Sequence, residues 1–293
     1  MNLNEYPLWT AVITPMLENG DVDYVSLEAI LKEQEEAKNG ILILGSTGEA
    51  LNLNQEEMQK ILDFTIGLKL NAPLMCGVGG INLEQTTKWV KYLETLPLDA
   101  YLMVTPLYAK PGTEGQYQWF KHLMDASTRP VMLYNVPGRT GTSLSFEAVK
   151  RLNTHPRFWA VKEASGNVEH FKKYVEAAGE GRVYSGDDGM LPDFAPHNCK
   201  GLVSVASNVW PRETHLYVDM TLESRLDDAK LWQECSDTLF IASNPVPVKA
   251  LMAQKGTIKT NTLRAPLTSE DLTDLTPLTT SQARVTEWFK KNS

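Results

Sequence analysis

Short apolar runs bounded by turn residues recur along the first two thirds of the chain. Runs of this kind are typical of buried strands in a parallel sheet. They predict strands at 8–14, 41–44, 73–78, 99–104, 130–134, 158–162, 182–185 and 201–205.

The segments between these runs have the periodicity of amphipathic helices. In the first of them Leu27, Ile30 and Leu31 share one face, and Asn39-Gly40 ends the segment as a helix C-cap does. Helices are predicted at 23–39, 54–70, 82–96 and 116–127, with another that begins near 145.

Alternation of strand and helix indicates an α/β fold with a parallel sheet, and eight such units favour a closed (β/α)8 TIM barrel. A doubly wound open sheet has the same local pattern and stays an alternative. After residue 225 the pattern is helical without strong strand runs. We therefore expect a barrel at 1–224 that carries the active site, and a C-terminal helical extension at 225–293.

Composition and charge exclude several partners. The net charge is −8 with no basic block, which argues against nucleic acid and anionic membranes. The three cysteines, Cys76, Cys199 and Cys235, are widely spaced, so a reducing cytoplasm is expected. The five scattered histidines form no metal-binding pair. We expect no signal peptide and no membrane helix, because the N-terminus is polar and no apolar run is long enough.

Lys162 ends the sixth predicted strand, after the apolar run Phe158-Trp159-Ala160-Val161. Burial favours the neutral amine, and a neutral lysine is a nucleophile that can form an imine with a carbonyl substrate. The alternative is a lysine whose ammonium group reaches solvent or pairs with Glu163.

Other polar groups follow neighbouring strands, at the end of a barrel where active sites lie. Gly45-Ser46-Thr47-Gly48 can present N–H groups and hydroxyls to an anion, or can be a tight turn that caps a helix. Tyr134 ends a strand, where it can carry protons or pack in the core. Arg139 lies in a loop, where it can bind a carboxylate or face solvent.

Two further motifs carry less weight. Gly77-Val78-Gly79-Gly80 lacks the last glycine of a dinucleotide-binding loop and follows the third strand, so we discount it. Asp187-Asp188 could bind a divalent ion, but no third carboxylate is near in sequence. A structural role in the loop is therefore expected for this pair.

Together these residues resemble the dihydrodipicolinate synthase and N-acetylneuraminate lyase superfamily over nearly the whole chain. Its members are class I aldolases that use a lysine imine on a (β/α)8 barrel with a helical extension. The motifs that carry the resemblance are Gly45-Ser46-Thr47-Gly48-Glu49, Tyr134-Asn135-Val136-Pro137-Gly138-Arg139-Thr140-Gly141, Val161-Lys162-Glu163, Ser185-Gly186-Asp187-Asp188 and Asn244-Pro245-Val246-Pro247-Val248-Lys249.

The resemblance assigns a role to each matching residue. It implies that Lys162 forms an imine with pyruvate, whose carboxylate is held by Ser46 and Thr47. Thr47, Tyr134 and Tyr108 match a proton relay. Substrate binding is also implied for Gly186 and Val203. No external cofactor and no metal are implied, because the imine itself is the electron sink.

The synthase branch of the superfamily is favoured by Arg139, which would hold the carboxylate of L-aspartate 4-semialdehyde. Tyr108 would reach into the site of a neighbouring subunit. The resemblance therefore implies a homotetramer made of two tight dimers, or a homodimer. A neuraminate or keto-deoxy-sugar lyase and a non-catalytic metabolite-binding barrel remain alternatives.

The chain departs from the family's pattern in two places. Ser46 stands where many synthases carry threonine; it keeps the hydroxyl group and is the choice typical of the lyases. The positions associated with feedback by L-lysine are the second departure. A cationic amino acid needs an acid and an aromatic face there, and Thr86 and Leu107 supply neither, so weak or absent inhibition is expected. These positions are matched by Ala50, Gln55, Met58, Thr86 and Leu107.

Overall fold

A computed structural model describes residues 2–293 and contains a closed barrel of eight parallel strands. Each strand pairs with its neighbours in sequence order, and the last strand pairs with the first in register Trp9↔Val203. This closure confirms the predicted TIM barrel and removes the open sheet as an alternative. The strands are β1 Leu8–Ala11, β2 Gly40–Ile43, β3 Leu74–Val78, β4 Ala100–Val104, β5 Val131–Asn135, β6 Phe158–Glu163, β7 Arg182–Ser185 and β8 Leu202–Ser204.

Helices surround the barrel and continue past it to the C-terminus. They are α1 Tyr24–Glu36, α2 Gln55–Gly67, α3 Leu83–Leu93, α4 Thr113–Asp125, α5 Pro137–Thr140, α6 Phe146–Leu152, α7 Val168–Ala178, α8 Leu191–Phe194, α9 Pro211–Leu222, α10 Ala229–Thr238, α11 Val246–Gln254 and α12 Thr276–Asn292. α5 is a single turn inside the connection after β5, and α8 is a single turn in the connection from β7 to β8.

The structure confirms the predicted starts of three helices that begin with a side-chain cap. Asp23, Asn54 and Asn82 each accept backbone N–H groups of the first turn that follows them. The prediction for α4 began three residues late, since the helix starts directly after Gly112, whose cap uses no side chain.

The first strand is shorter than predicted, ending at Ala11 rather than at residue 14. The backbone N–H of Ile13 donates to Oδ1 of Asn208 at 3.0 Å, so a side chain takes the place of a strand partner. Apolar pattern alone could not reveal this substitution, because Asn208 is distant in sequence.

Side-chain alternation divides the core into two layers. One layer fills the barrel interior and includes Trp9, Met75, Met132 and Tyr184; the other lies between the strands and the helices. Gly40 makes room for the indole of Trp9, because a Cβ atom there would lie 2.6 Å from the ring. The barrel interior is therefore filled with apolar side chains.

The C-terminal helices pack on α9 through stacked aromatic side chains. The rings of Tyr217 and Trp232 stack at 4.2 Å between centroids, and Trp288 meets Trp232 edge-on at 5.0 Å. The aromatic cluster thus joins barrel and extension. The division into 1–224 and 225–293 stays a prediction. None of the helices within residues 2–293 combines the length and hydropathy needed to span a bilayer.

Candidate active site

Lys162 and Tyr134 lie side by side at the carboxyl ends of β6 and β5. They are direct partners in the β5–β6 ladder, and the Lys162 Nζ atom is 4.4 Å from the centre of the Tyr134 ring. Both side chains are buried; Lys162 is only 4% exposed. The structure thus brings together two of the residues predicted to be catalytic.

Burial lowers the pKa of Lys162 from its ordinary value of 10.5 to about 8. The carboxylates of Asp187 and Asp188 partly oppose this shift, and the charge of Arg139 adds to it. The alternative in which Lys162 pairs with Glu163 is wrong, because the two side chains alternate to opposite faces of β6. Glu163 accepts from Asn135 Nδ2 at 2.6 Å and from the Ser165 N–H at 3.0 Å.

Tyr134 is held in its neutral form. Burial raises the pKa of its hydroxyl above the ordinary value, while the charge of Arg139 and a hydrogen bond with Ser46 partly offset that effect. A phenol in this state can donate a proton and take one back, which is the chemistry that a proton carrier beside an amine needs.

The turn after β2 presents Ser46 and Thr47. Leu44 and Glu49, which flank it, both have φ near +55°, and the Thr14 hydroxyl donates to the Gly48 carbonyl at 2.7 Å. Thr47 is buried and its Oγ1 accepts from Asn244 Nδ2 at 2.9 Å. The Thr47 hydroxyl is therefore the acceptor in this hydrogen bond, and its proton is not used to bind Asn244.

Arg139 lies on α5, the single turn after β5, and its guanidinium donates to the Asn244 carbonyl at 3.1 Å. Asn244 therefore contacts both Thr47 and Arg139. Asn244 is the first residue of the motif at 244–249, and no role was predicted for it. Nothing local indicates one, since Asn244 and Thr47 are 197 residues apart.

Gly186 packs directly against the lysine: a Cβ atom at Gly186 would lie 2.7 Å from Cε of Lys162. Its N–H donates to the Glu163 carbonyl at 2.6 Å, which fixes β7 beside β6. Val203 is fully buried on the inner face of β8. The roles of both residues in substrate binding stay predictions.

The two aspartates after β7 have different surroundings. Asp187 accepts the Gly166 N–H at 2.9 Å, and burial raises its pKa to about 6. Asp188 is fully buried and accepts from the Ser204 hydroxyl and from the N–H groups of Val205 and Ala206. These bonds fit the structural role expected for Asp188. Within residues 2–293 no group of three or more His, Cys, Asp or Glu side chains is arranged to hold a metal ion.

Lys162, Tyr134, Ser46 and Arg139 line one cavity of about 790 Å³. The five residues considered for lysine feedback, Ala50, Gln55, Met58, Thr86 and Leu107, line the same cavity. Its lining includes the basic residues Lys88, Arg139 and Lys162 and, among the residues that the structure describes, no aspartate or glutamate.

Tyr108 is not brought to this cavity within one chain. Its side chain is 88% exposed and its backbone has φ +61°, in the left-handed region. A role for Tyr108 in proton transfer therefore requires a second subunit, as the resemblance implied, and stays a prediction.

The fold and the site define the class: a (β/α)8 barrel enzyme with a buried lysine at the carboxyl end of its sixth strand. The family model described as "Dihydrodipicolinate synthetase family" matches residues 6–281. The chain belongs to this family.

Its relatives are similar over nearly their whole length. A protein of Francisella tularensis subsp. novicida, named 4-hydroxy-tetrahydrodipicolinate synthase, is 45% identical over 284 residues, covering 96% of each chain. A protein of Wolbachia pipientis wMel with the same name is 45% identical over 282 residues, again covering 96% of each chain.

Solved structures of synthases have the same fold. The 4-hydroxy-tetrahydrodipicolinate synthase of Methylacidiphilum fumariolicum SolV superimposes with a TM-score of 0.90 at 32% identity, covering 98% of this chain and 97% of that one. The chloride-inhibited dihydrodipicolinate synthase of Acinetobacter baumannii, complexed with pyruvate, has a TM-score of 0.89 at 32% identity, covering 96% and 99%.

Proposed function

We propose that this chain is a 4-hydroxy-tetrahydrodipicolinate synthase, which condenses pyruvate with L-aspartate 4-semialdehyde in the first committed step of the diaminopimelate and lysine pathway. The observation that carries the proposal is the Lys162 amine, buried beside Tyr134 in a cavity that Ser46 and Arg139 also line. The names of the relatives support the same activity, and one similar structure is complexed with pyruvate.

The reaction begins when the Lys162 amine adds to the keto carbon of pyruvate. The resulting carbinolamine loses water to give an imine. With a pKa of about 8, roughly a quarter of the amine is neutral at pH 7.5, against about a thousandth for an unperturbed lysine. Burial therefore supplies the nucleophile that imine formation requires.

The imine loses a proton from the pyruvate methyl group and becomes an enamine, whose carbon attacks the aldehyde of the second substrate. The amine of that substrate then attacks the imine carbon, closes the ring and displaces the Lys162 amine. Each proton transfer needs a group that both donates and accepts. Tyr134 and Thr47 fit this need, since the Thr47 oxygen already accepts from Asn244 and its proton is free to be donated.

Different elements of the barrel bind the carboxylates of the two substrates. Ser46 and Thr47 bind the carboxylate of pyruvate on the turn after β2, and Arg139 binds the carboxylate of the semialdehyde. A planar guanidinium suits a carboxylate because it can donate two parallel hydrogen bonds. Arg139 opposes the alternative of a sugar lyase, whose acceptor carries hydroxyl groups at the corresponding place.

A second copy of the chain completes the site in this proposal. Leu51, Ile81, Leu83 and Tyr108 are exposed large apolar or aromatic residues, and a second copy that covered them would bring Tyr108 to a neighbouring cavity. We propose a homodimer of this kind, or a homotetramer built from two such dimers. Cytoplasmic localisation is proposed from the three cysteines, which are all buried free thiols.

The test is reduction with borohydride in the presence of pyruvate, followed by peptide mass spectrometry. We expect a reduced pyruvate adduct on Lys162, and none in the Lys162→Arg variant. Absence of an adduct in the wild-type protein would refute the proposed enzymatic function and favour a non-catalytic binding barrel. An adduct without turnover of L-aspartate 4-semialdehyde would favour a sugar lyase, and sugar aldehydes would then be the acceptors to test.

A further inference from the structure

A completely buried ion pair links the turn after β2 to the C-terminal extension. Lys249 Nζ lies 2.5 Å from Oε1 of Glu49, and both side chains are 0% exposed. The two residues are 200 positions apart in the chain. Lys249 also donates to the Thr262 carbonyl at 2.9 Å, and the Arg264 N–H donates to Oε2 of Glu49 at 3.1 Å. Both carboxylate oxygens of Glu49 are therefore held by the extension.

The turn that Glu49 ends is under backbone strain. Leu44 and Glu49 stand on either side of residues 45–48 and both have φ near +55°, a region that residues with a Cβ atom rarely adopt. Such conformations persist when the surroundings determine them. On the Leu44 side this conformation needs the space left by Gly77, where a Cβ atom would lie 2.2 Å from the Leu44 carbonyl oxygen. On the Glu49 side the carboxylate is bound by Lys249 and by the Arg264 N–H.

The C-terminal extension contacts the turn at a second place. Asn244 lies two residues before the first residue of α11; its side chain donates to Thr47 at 2.9 Å, and its carbonyl accepts from Arg139 at 3.1 Å. Lys249 lies on α11 itself. The extension thus contacts the turn through two side chains. Asn244 binds Thr47, and Lys249 binds Glu49.

We propose that Lys249 is a positioning residue of the active site. Through Glu49 it holds the strained turn in the conformation that presents Thr47 to pyruvate, so the C-terminal extension is part of the catalytic apparatus. The proposal rests on the role proposed above for Thr47.

The experiment is a double-mutant cycle with Lys249→Met, Thr47→Val and the two combined. Each variant is measured in two ways: by the dependence of borohydride trapping on pyruvate concentration, and by kcat and KM in turnover. A displacement of about 1 Å can cost up to about 100-fold in rate, so we expect Lys249→Met to lower kcat by about tenfold or more. The KM for pyruvate should rise with it, and the KM for the semialdehyde should stay within about twofold, since Arg139 lies on α5 and not on the turn.

Coupling between the effects of the two substitutions distinguishes a positioning role of Lys249 from a general effect on the fold. If Lys249 acts through Thr47, the combined variant is no slower than Thr47→Val alone. Losses that simply multiply would overturn the proposal. Lys255→Met is the matched control, because Lys255 follows the same helix but donates to the Val209 carbonyl, away from the turn; it should keep wild-type kinetics.

A second variant covers the case in which Lys249→Met fails to fold because Glu49 loses its buried cationic partner and keeps only the Arg264 N–H. Replacing a buried ion pair by apolar residues commonly preserves folding. The variant Glu49→Leu/Lys249→Met should therefore keep its melting temperature and still show the kinetic loss. Wild-type kinetics in this variant would refute the role of Lys249, whereas a wild-type protein that traps no pyruvate would refute the proposed function itself.

Discussion

Tyr134 and Lys162 are direct partners across the β5–β6 ladder, and the lysine Nζ atom lies 4.4 Å from the centre of the tyrosine ring. The π-face of a neutral phenol attracts a cation, yet burial has the larger effect and lowers the pKa of Lys162 to about 8. The register of β5 and β6 thus fixes a nucleophilic amine next to a proton carrier.

The pH dependence of imine formation should follow the pKa of Lys162. The neutral amine is the reactive form, so the rate of trapping at low pyruvate should rise about tenfold per pH unit below 8 and level off above it. The measurement is the initial rate of borohydride trapping between pH 6 and 10, in about unit steps. A rate that keeps rising to about pH 10 would show an unperturbed lysine and contradict the account.

Removal of the Arg139 guanidinium should chiefly weaken recognition of the second substrate. We expect Arg139→Ala to raise the KM for L-aspartate 4-semialdehyde by about tenfold to a hundredfold, as when a charged hydrogen-bonding partner is lost. Pyruvate trapping should fall much less, because the charge of Arg139 makes the smallest of the contributions to the pKa of Lys162. Equal losses in both assays would place Arg139 at the pyruvate site instead, and Arg139→Lys tests whether the planar guanidinium matters beyond its charge.

A methyl group at Gly186 should displace the catalytic lysine. Its Cβ atom would lie 2.7 Å from Cβ of Ala164 and 2.7 Å from Cε of Lys162, and the lysine is the longer and more flexible of these two side chains. We expect Gly186→Ala to slow pyruvate trapping by about tenfold or more, because imine formation depends on the position of Nζ. Gly67→Ala on α2, where an added Cβ meets nothing within 4 Å, is the control. An unchanged rate in Gly186→Ala would mean that the lysine can adapt.

L-lysine should inhibit the enzyme weakly or not at all. Basic side chains and no acidic ones, among the described residues, line the cavity that holds the feedback positions, so a cationic ligand finds no counter-charge there. Half-inhibition at sub-millimolar L-lysine would contradict this prediction. The variant Thr86→Glu, which adds a carboxylate to the lining, should be inhibited more strongly than the wild type.

The sequence predicted the barrel because buried parallel strands and amphipathic helices leave local periodic patterns. It also predicted Lys162, Tyr134 and the turn at residues 45–48, since a polar group that ends an apolar strand is a local signal. The first strand was overestimated because Asn208 takes the donor at Ile13. Contacts of Asn244 and Lys249 with the turn could not be predicted, because each joins residues about two hundred positions apart. Tyr108 lies outside the cavity of its own chain, and no pattern within one chain describes a second subunit.

The central claim is that Lys162 carries pyruvate to L-aspartate 4-semialdehyde, and the most direct measurement is pyruvate consumption by the purified protein with that semialdehyde as the only acceptor. The account predicts rapid turnover that disappears in Lys162→Arg and after borohydride treatment with pyruvate. Absence of turnover by the wild-type protein, at semialdehyde concentrations that saturate a known synthase assayed in parallel, would contradict it.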